Sequence, residues 1–290
     1  MHEGAAELAL KGFPSTEADG ENRCLMGSTN SRVDAGLILV SAYTSAMNPH
    51  EYINLARVEK DHWYYSGKRE LVRRLIGRSA GFGQNVRLLD CGAGTGIFAE
   101  EMSGLCEVSV LDDHDESIRL LKQKFPEERV LRVSGTQIPV GPGGLDVVTA
   151  MDVLEHIEAD QMAVGEFARI LRSGGFAVVT VPASKALWSD WDEGLHHFRR
   201  YDKAGLRKLF EGPEWAIVTC RYTNSLAFPV VWILRKLRRF SKDVKEGGRS
   251  EDRVPFRPIN GFLKRLFVAQ ALCPVPMPFG VSLVLMARRR

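Results

Sequence analysis

The stretch with the clearest chemical character is a glycine-rich segment at residues 86–99, V-R-L-L-D-C-G-A-G-T-G-I-F-A. A short apolar run ends in Asp90, and glycines follow at alternate positions before an apolar segment that begins at Ile97. This order predicts a strand, a tight turn and a helix. Because glycine has no Cβ, a ligand can approach the backbone closely at such a turn. We therefore expect an extended ligand to lie across it, with a purely structural turn as the alternative.

The spacing of the glycines bears on which ligand that is. A dinucleotide site has the pattern G-x-G-x-x-G and binds pyrophosphate at the helix N-terminus, but here Ile97 stands where the third glycine would be. Asp90 at the end of the strand instead suits a ligand with an ammonium or other cationic group. A phosphate-bearing cofactor is therefore disfavoured.

The segment D-C-G-A-G-T-G resembles motif I of the class I S-adenosylmethionine (SAM) dependent methyltransferases, whose usual form is D/E-x-G-x-G-x-G. The resemblance implies SAM as cofactor and S-adenosylhomocysteine as product. It also implies that the turn contacts SAM through Asp90, Gly92, Ala93, Gly94 and Gly96.

A second acidic position follows the next predicted strand, residues 107–111. Asp112 lies 20 residues after Gly92, the separation at which a β-α-β unit returns a carboxylate to the ribose hydroxyls of a nucleoside ligand. We expect Asp112 to bind the ribose and Asp113 to line the same site. A solvated loop acid is the alternative for each.

The loop S-G-T-Q-I-P after the third predicted strand resembles the adenine loop G-D-A-x-x-L-P of related enzymes. Thr136 stands where those enzymes have an acid. The resemblance implies that Thr136 or Gln137 contacts the adenine of the cofactor.

The segment M-D-V-L-E-H-I at 151–157 resembles the A-x-D-V-L-E-H-I/L signature of the same superfamily. The resemblance implies that Asp152 and Val153 line the methionine side of the cofactor and that His156 faces the cleft. With an ordinary pKa near 6.5, histidine can take a proton from a nucleophile at cellular pH. Packing against the following helix is the alternative role for His156.

Residues 183–210 resemble the W-x-x-x-D-x-x-x-x-H-x-R-R-Y-x-x-x-x-L pattern of one bacterial group of these methyltransferases. The resemblance implies substrate contacts, and His197 is our preferred proton acceptor over His156. The predicted substrate-binding side chains of this segment are Trp188, Arg199, Arg200 and Tyr201. For Arg200, an ion pair with Asp192 that holds the loop is the alternative.

The stretch E-K-D-H-W-Y-Y-S-G-K-R-E-L at 59–71 resembles a segment that precedes motif I in the same group. In that group it forms helices that cover the cofactor. We expect Tyr64 and Tyr65 to line the substrate pocket, whereas pocket and packing roles are equally compatible with Trp63.

Strand and helix patterns alternate from residue 86 to residue 182, which predicts a parallel sheet with right-handed crossovers. A helix from Asp160 should end at the glycine pair 174–175, ahead of a strand from Phe176. The fold class is α/β, and the resemblance implies a Rossmann-like seven-stranded class I methyltransferase sheet. Helices should cover both faces, a helical lid should close the site, and the last strand should run antiparallel.

The predicted organisation is a mobile tail followed by one methyltransferase domain over 49–290. Its parts are cover helices at 49–82, a SAM-binding core at 83–182, a substrate loop and lid at 183–280, and the last strand at 281–289. The tail is residues 1–48. Residues 226–240 combine an apolar run with basic residues and are too short to span a membrane. They predict a lid or, alternatively, a peripheral membrane contact.

Composition limits the classes of partner. A net charge of +3 does not indicate a nucleic-acid partner, and no N/D-P-P-Y/F motif follows the fourth predicted strand. Five cysteines form no C-x-x-C pair, and we find no secretory signal, so we expect free thiols in the cytoplasm. We also expect no metal requirement. The oligomeric state is left open.

The sequence as a whole predicts a SAM-dependent methyltransferase with a small-molecule acceptor. We expect the methyl group to pass to a hydroxyl of a partly apolar natural product or lipid-linked metabolite, in secondary metabolism. The alternatives are a SAM-binding protein without catalysis, a C- or N-methyltransferase on an isoprenoid or aromatic acceptor, and an oxidoreductase that binds NAD(P).

Overall fold

The computed structural model describes residues 58–133, 137–238 and 254–290. Within these ranges seven strands form one sheet: β1 (Gly83–Cys91), β2 (Cys106–Asp112), β3 (Val130–Arg132), β4 (Leu145–Met151), β5 (Leu171–Pro182), β6 (Trp215–Thr223) and β7 (Ser282–Arg289). The strand order is β3-β2-β1-β4-β5-β7-β6. β7 runs antiparallel to both of its neighbours, and the other pairs are parallel. The predicted mixed Rossmann-like sheet is confirmed.

Eight α-helices are described: α1 (Trp63–Ser79), α2 (Ile97–Ser103), α3 (Asp115–Lys124), α4 (Asp160–Ile170), α5 (Asp190–Gly194), α6 (Lys203–Leu209), α7 (Phe228–Arg238) and α8 (Arg257–Leu272). Buried side chains of α1, α2, α3 and α8 share one apolar cluster with the sheet. Buried side chains of α4 and α6 share a second cluster with it. Helices therefore cover both faces of the sheet.

Strand periodicity explains these two clusters. Neighbouring side chains of a strand point to opposite faces, so Leu88 joins the cluster of α1 while Leu89 joins that of α4. In β4 every residue except the last is buried, as expected for a parallel strand that is covered on both sides. This packing holds the carboxyl ends of β1, β2 and β4 side by side, where ligands bind in open parallel sheets.

The predicted start of β5 is wrong. We expected a helix stop at the glycine pair 174–175, but α4 ends at Ile170 and β5 begins at Leu171. Gly174 has φ +83, and the ladder between β4 and β5 shifts its register near this point. A positive φ is easily adopted by glycine, so the pair forms an irregularity inside the strand.

Two predictions lie wholly or partly outside the described residues. The mobile tail at 1–48 is one of them. Of the cover helices expected over 49–82, the structure describes α1, while residues 49–57 are not described.

The predicted lid segment contains α7. Ala227, Val231 and Arg235, which are four residues apart, line the cavity described below. Val230, Ile233 and Leu237 are exposed. None of the described helices combines the length and the apolar character that crossing a membrane requires.

Candidate functional site

A cavity of about 900 Å³ opens at the carboxyl ends of β1, β2 and β4. The glycine turn after β1, the first turn of α1, the segment after β5 and α7 all contribute to its wall. Most of the predicted site residues line it: Tyr64, Tyr65, Asp90, Gly92, Ala93, Gly94, Asp112, Asp113, Asp152, Val153, His156, His197 and Arg200. The fold thus brings together residues that are far apart in sequence.

The glycine turn needs its glycines for different reasons. Gly92 and Gly94 have φ +67 and +55, which is strained for other residues. A Cβ on Gly92 would lie 2.5 Å from Val153 Cγ2, whereas a Cβ on Gly94 would meet no atom within 4 Å. Gly94 is therefore where the backbone faces open space in the cavity. Gly96, with φ +79, packs against Leu121 and is not part of the cavity wall. Its contact with the cofactor stays a prediction.

Asp112 is fixed by backbone donors. Its Oδ2 accepts a hydrogen bond from the Gly94 N–H at 2.8 Å, and its Oδ1 accepts from the N–H groups of Asp113 and His114, both at 3.0 Å. An ionised carboxylate has about four acceptor positions. Oδ2 therefore keeps a free acceptor position, which suits a ribose hydroxyl.

Two acids, the buried Asp90 and the half-buried Glu59, give the glycine turn a negative potential. Asp90 accepts a hydrogen bond from Thr149 Oγ1 at 2.7 Å, and Glu59 accepts one from Thr95 Oγ1 at 2.7 Å. Burial, together with the neighbouring Glu59 and Asp112 charges, raises the pKa of Asp90 to about 7. Burial also raises the pKa of Glu59. Such a site attracts a cationic ligand and repels a pyrophosphate, which supports SAM over a dinucleotide.

Asp152 is paired with a lysine that the sequence analysis did not single out. It has φ +57 and accepts hydrogen bonds from Thr180 Oγ1 at 3.1 Å and from the buried Lys68 ammonium group. Lys68 Nζ also lies 4.5 Å from the centre of the Tyr64 ring. Although burial opposes the charged form, the Lys68 charge lowers the pKa of Asp152. Asp152 therefore lines the cavity as a carboxylate.

His197 is oriented by a buried carboxylate. Its Nδ1 lies 2.9 Å from Oδ1 of Asp192, which is 0 % exposed and also accepts from Arg200 Nε at 2.6 Å. Although burial opposes the charged form, the bonds from His197 and Arg200 lower the pKa of Asp192 to about 2. We assign the Nδ1 proton to the hydrogen bond with this carboxylate, which leaves Nε2 as an acceptor.

His156 and Glu155 lie beside His197. The two imidazole rings are 4.6 Å apart, nearly perpendicular. Burial lowers the pKa of His156 to about 4. Glu155 is 0 % exposed, and neither of its carboxylate oxygens has a hydrogen-bond partner among the described residues. Burial, reinforced by the Asp152 charge, raises the pKa of Glu155 well above its ordinary value.

Three of the predicted substrate-binding side chains do not line the cavity. Arg199 donates to the Glu158 carbonyl oxygen at 2.7 Å and pairs with Asp160, away from the cavity. The Tyr201 hydroxyl is buried and donates to Asp160 Oδ2 at 2.7 Å. Trp188 does not line the cavity.

Arg200 reaches the cavity wall but is committed to the ion pair with Asp192. It also donates to the Ala183 carbonyl oxygen at 3.0 Å. Arg200 therefore holds the loop, as the alternative interpretation expected. Trp191, rather than Trp188, lines the cavity from this segment.

The remaining predictions concern the aromatic wall and the adenine loop. Tyr64 and Tyr65 line the cavity, and the Tyr64 hydroxyl lies 2.7 Å from Ser282 Oγ. Thr136 lies outside the described residues. Gln137 is exposed and does not line the cavity, whereas its neighbour Ile138 does.

Sequence reasoning missed Glu59, Lys68 and Glu155 as members of this wall. Glu59 and Lys68 belong to the stretch whose aromatic residues drew attention, and Glu155 belongs to a quoted motif. Only Glu155, in V-L-E-H-I, is a charge among mostly apolar neighbours, so the sequence held a signal for Glu155 but none for Glu59 or Lys68.

The strand order, the antiparallel β7 and the glycine turn at the carboxyl ends define the class: this is a Rossmann-like class I methyltransferase fold. A crystal structure of a SAM-dependent methyltransferase from Thermotoga maritima superposes with a TM-score of 0.54 at 13% sequence identity. The superposition covers 83% of this chain and 96% of that chain. At this identity the likeness shows the fold alone.

Sequence comparison identifies the family of the core. Residues 89–179 match the family described as "Methyltransferase domain". A Mycolicibacterium smegmatis protein named "Probable S-adenosylmethionine-dependent methyltransferase/" is 27% identical over 157 residues, which are 53% of this chain and 59% of that protein. The "Ubiquinone biosynthesis O-methyltransferase" of Thiobacillus denitrificans is 31% identical over 96 residues, 31% of this chain and 41% of that protein.

The chain therefore spans less than two thirds of the length of these curated relatives. Residues 89–179 match a methyltransferase domain, and the names of the relatives imply SAM as the cofactor. The residues fit that cofactor: Gly94 faces open space, Asp112 offers an acceptor position, and Asp90 and Glu59 favour a cation.

Proposed function

We propose that this protein transfers a methyl group from SAM to a hydroxyl of a small, partly apolar acceptor. The observation that carries this proposal is the contact between His197 and the buried Asp192 on the wall of the same cavity as the glycine turn. SAM supplies an activated methyl group when it is bound. The protein then has to align the acceptor, exclude water and receive the hydroxyl proton.

Each part of the wall has a role in this proposal. Asp112 binds the ribose, and Asp90 attracts the amino group of the cofactor. His197 receives the proton through Nε2, because its Nδ1 is held by Asp192. The low pKa of His156 makes it a weaker proton acceptor.

We infer an apolar acceptor from the side chains that line the cavity. Tyr64, Tyr65, Trp191 and Val231 contribute aromatic and apolar surface to the cavity. The name of the T. denitrificans relative specifies transfer to oxygen, which supports a hydroxyl over nitrogen or carbon. We also propose that the protein acts in secondary metabolism and is located in the cytoplasm.

The exposed apolar surface of α7 bears on how an apolar acceptor would reach the cavity. Val230, Ile233 and Leu237 are exposed on α7, and Phe256 at the start of α8 is 74% exposed. Exposed apolar side chains beside a basic residue, Lys236, are typical of segments that lie on an anionic lipid surface. Because α7 also lines the cavity, we propose that this surface docks on an anionic membrane and admits an apolar acceptor from it.

The central test is a methyl-transfer assay with His197→Ala. Production of S-adenosylhomocysteine from SAM is measured with a panel of hydroxylated aromatic and prenylated acceptors. We expect turnover to fall by about 10²- to 10⁴-fold, the typical contribution of a general base, while calorimetry shows unchanged SAM affinity. His196→Asn is the control, because His196 is exposed and does not line the cavity. Equal turnover in His197→Ala and the control would reject the role of His197.

A further inference from the structure

The cluster of Glu155, His156 and His197 contains more ligating groups than proton transfer requires. Each of the three side chains offers one nitrogen or oxygen atom, and these atoms lie within 4.8 Å of one another. All three residues line the cavity. We expected no metal requirement because the sequence shows no metal-ligand cluster. Glu155 and His156 are separated from His197 by about 40 positions, and the fold brings the three together.

The state of Glu155 is the independent observation that points to a cation. A fully buried carboxyl group without a hydrogen-bond partner is unfavourable, since buried polar groups in proteins are almost always paired. A bound cation would satisfy both carboxylate oxygens and favour the ionised form. An apolar side chain of similar size at this position would need no such partner.

The histidine partners fit the same conclusion. An imidazole that binds a metal ion usually donates its other ring N–H to a carboxylate or a carbonyl oxygen. His197 has this arrangement with the buried Asp192, which leaves Nε2 for an ion. Ligand atoms around a tetrahedral zinc ion are about 3.4 Å apart, so small side-chain rotations would close the cluster.

We propose that Glu155, His156 and His197 form a binding site for a divalent transition-metal ion of the Zn²⁺ class. Two imidazoles and one carboxylate favour such ions over Mg²⁺ or Ca²⁺, which prefer oxygen ligands. Three protein ligands leave coordination positions open toward the cavity.

This inference rests on the proposed methyl transfer to a hydroxyl and replaces one part of it, the role of His197 as proton acceptor. An acceptor hydroxyl that binds at an open position loses its proton more readily, because the ion stabilises the oxygen anion. The O–H bond would break as the acceptor displaces a hydroxide ion from the open position, and the hydroxide would take the proton and leave as water. His156 and His197 then act as ligands rather than as proton acceptors, and an acceptor with two neighbouring oxygens binds best.

The test begins with binding. Protein freed of metal by dialysis against a chelator is titrated with Zn²⁺ in the presence of a competing dye, and with Co²⁺ while the visible spectrum is recorded. We expect one tightly bound ion per chain, a Co²⁺ spectrum that indicates nitrogen and oxygen ligands, and a thermal unfolding midpoint that rises with Zn²⁺ concentration.

Matched variants locate the ion. Glu155→Gln should weaken Zn²⁺ binding at least tenfold and remove the Zn²⁺-dependent rise in midpoint, while the metal-free variant stays folded, because Gln conserves the shape. Glu158→Gln and His196→Asn, which change exposed residues of the same segments, should bind as the wild type does. Absence of tight binding, or equal binding by Glu155→Gln and the wild type, overturns the site.

Activity separates this inference from the proposed function. Chelation should abolish methyl transfer and Zn²⁺ should restore it. Turnover that survives complete removal of metal overturns the activating role of the ion while leaving the methyltransferase proposal intact. Tight Zn²⁺ binding at Glu155 without transfer to any acceptor supports the site and contradicts the proposed function instead.

Discussion

If Asp90 binds the amino group of the cofactor as proposed, its charge should make cofactor binding depend on pH. Burial and the neighbouring acids raise its pKa from 3.8 to about 7, so the free protein holds a proton there below neutral pH. A ligand ammonium group favours the carboxylate, and binding therefore releases that proton. The affinity for SAM should rise by about tenfold between pH 6 and pH 8.

Calorimetry at both pH values checks this expectation. Asp90→Asn should bind SAM with a weaker and nearly constant affinity, whereas Glu128→Gln, an exposed change, should retain the wild-type pH dependence. A wild-type affinity that falls as the pH rises would contradict the role of Asp90.

A second residue, Asp192, holds the loop of the site together. It is fully buried and is paired with His197 and with Arg200, whose side chain is 3% exposed. Asp192→Ala leaves the Arg200 charge buried without its partner, which typically costs about 3–5 kcal/mol. Denaturant unfolding should show a loss of this size. Asp190→Ala, an exposed change in the same helix, should alter the free energy of unfolding much less.

A substitution in the glycine turn between β1 and α2 tests how tightly this turn is packed. Gly92→Ala places a Cβ 2.5 Å from Val153 at a residue with φ +67. We expect a lower free energy of unfolding, by about 1–3 kcal/mol, together with weaker SAM binding, because both the contact and the backbone conformation are unfavourable.

Gly104→Ala is the matched control for this turn. Gly104 has a right-handed backbone, and an added Cβ there would meet no atom within 4 Å. Its unfolding and SAM binding should stay close to the wild type. If Gly92→Ala behaved in the same way, the turn would not be as tightly packed as the structure describes.

The elements were largely predictable because apolar periodicity reports burial directly. The strand expected at 107–111 is β2 (Cys106–Asp112), and the strand expected before the glycine turn is β1. The start of β5 was missed because a glycine pair that usually ends helices here forms an irregularity inside a strand. Local patterns do not distinguish these two uses of glycine.

The candidate site was less predictable than the sheet. Spacing from Gly92 predicted Asp112 as a site residue and the resemblance predicted His197, and both line the cavity. Neither revealed that Arg199 and Tyr201 contact Asp160, or that Lys68 pairs with Asp152. These contacts join segments that are distant in sequence, and their partners are set by packing rather than by spacing.

Membrane docking through the α7 surface would place the whole molecule on a lipid bilayer. The exposed apolar side chains of α7 should bind vesicles that contain anionic lipid and should bind zwitterionic vesicles less well. Co-sedimentation measures both. Ile233→Glu should reduce vesicle binding by about tenfold, because a charge on this face opposes insertion.

Val218→Glu is the control for that experiment. Val218 is 53% exposed on β6, outside the α7 surface. The substitution should leave vesicle binding unchanged. Equal binding of both variants, or self-association through the α7 surface that makes it inaccessible to vesicles, would contradict membrane docking.

The central claim is that SAM lies on the glycine turn with its ribose bound by Asp112. Isothermal titration calorimetry of purified protein with SAM and with S-adenosylhomocysteine tests it most directly, with Asp112→Ala as the paired variant. We expect one site per chain in the wild type and at least a tenfold loss of affinity in Asp112→Ala, since the ribose hydroxyls lose their acceptor. No binding of either nucleoside to the wild type, or equal affinity in the variant, would contradict the account.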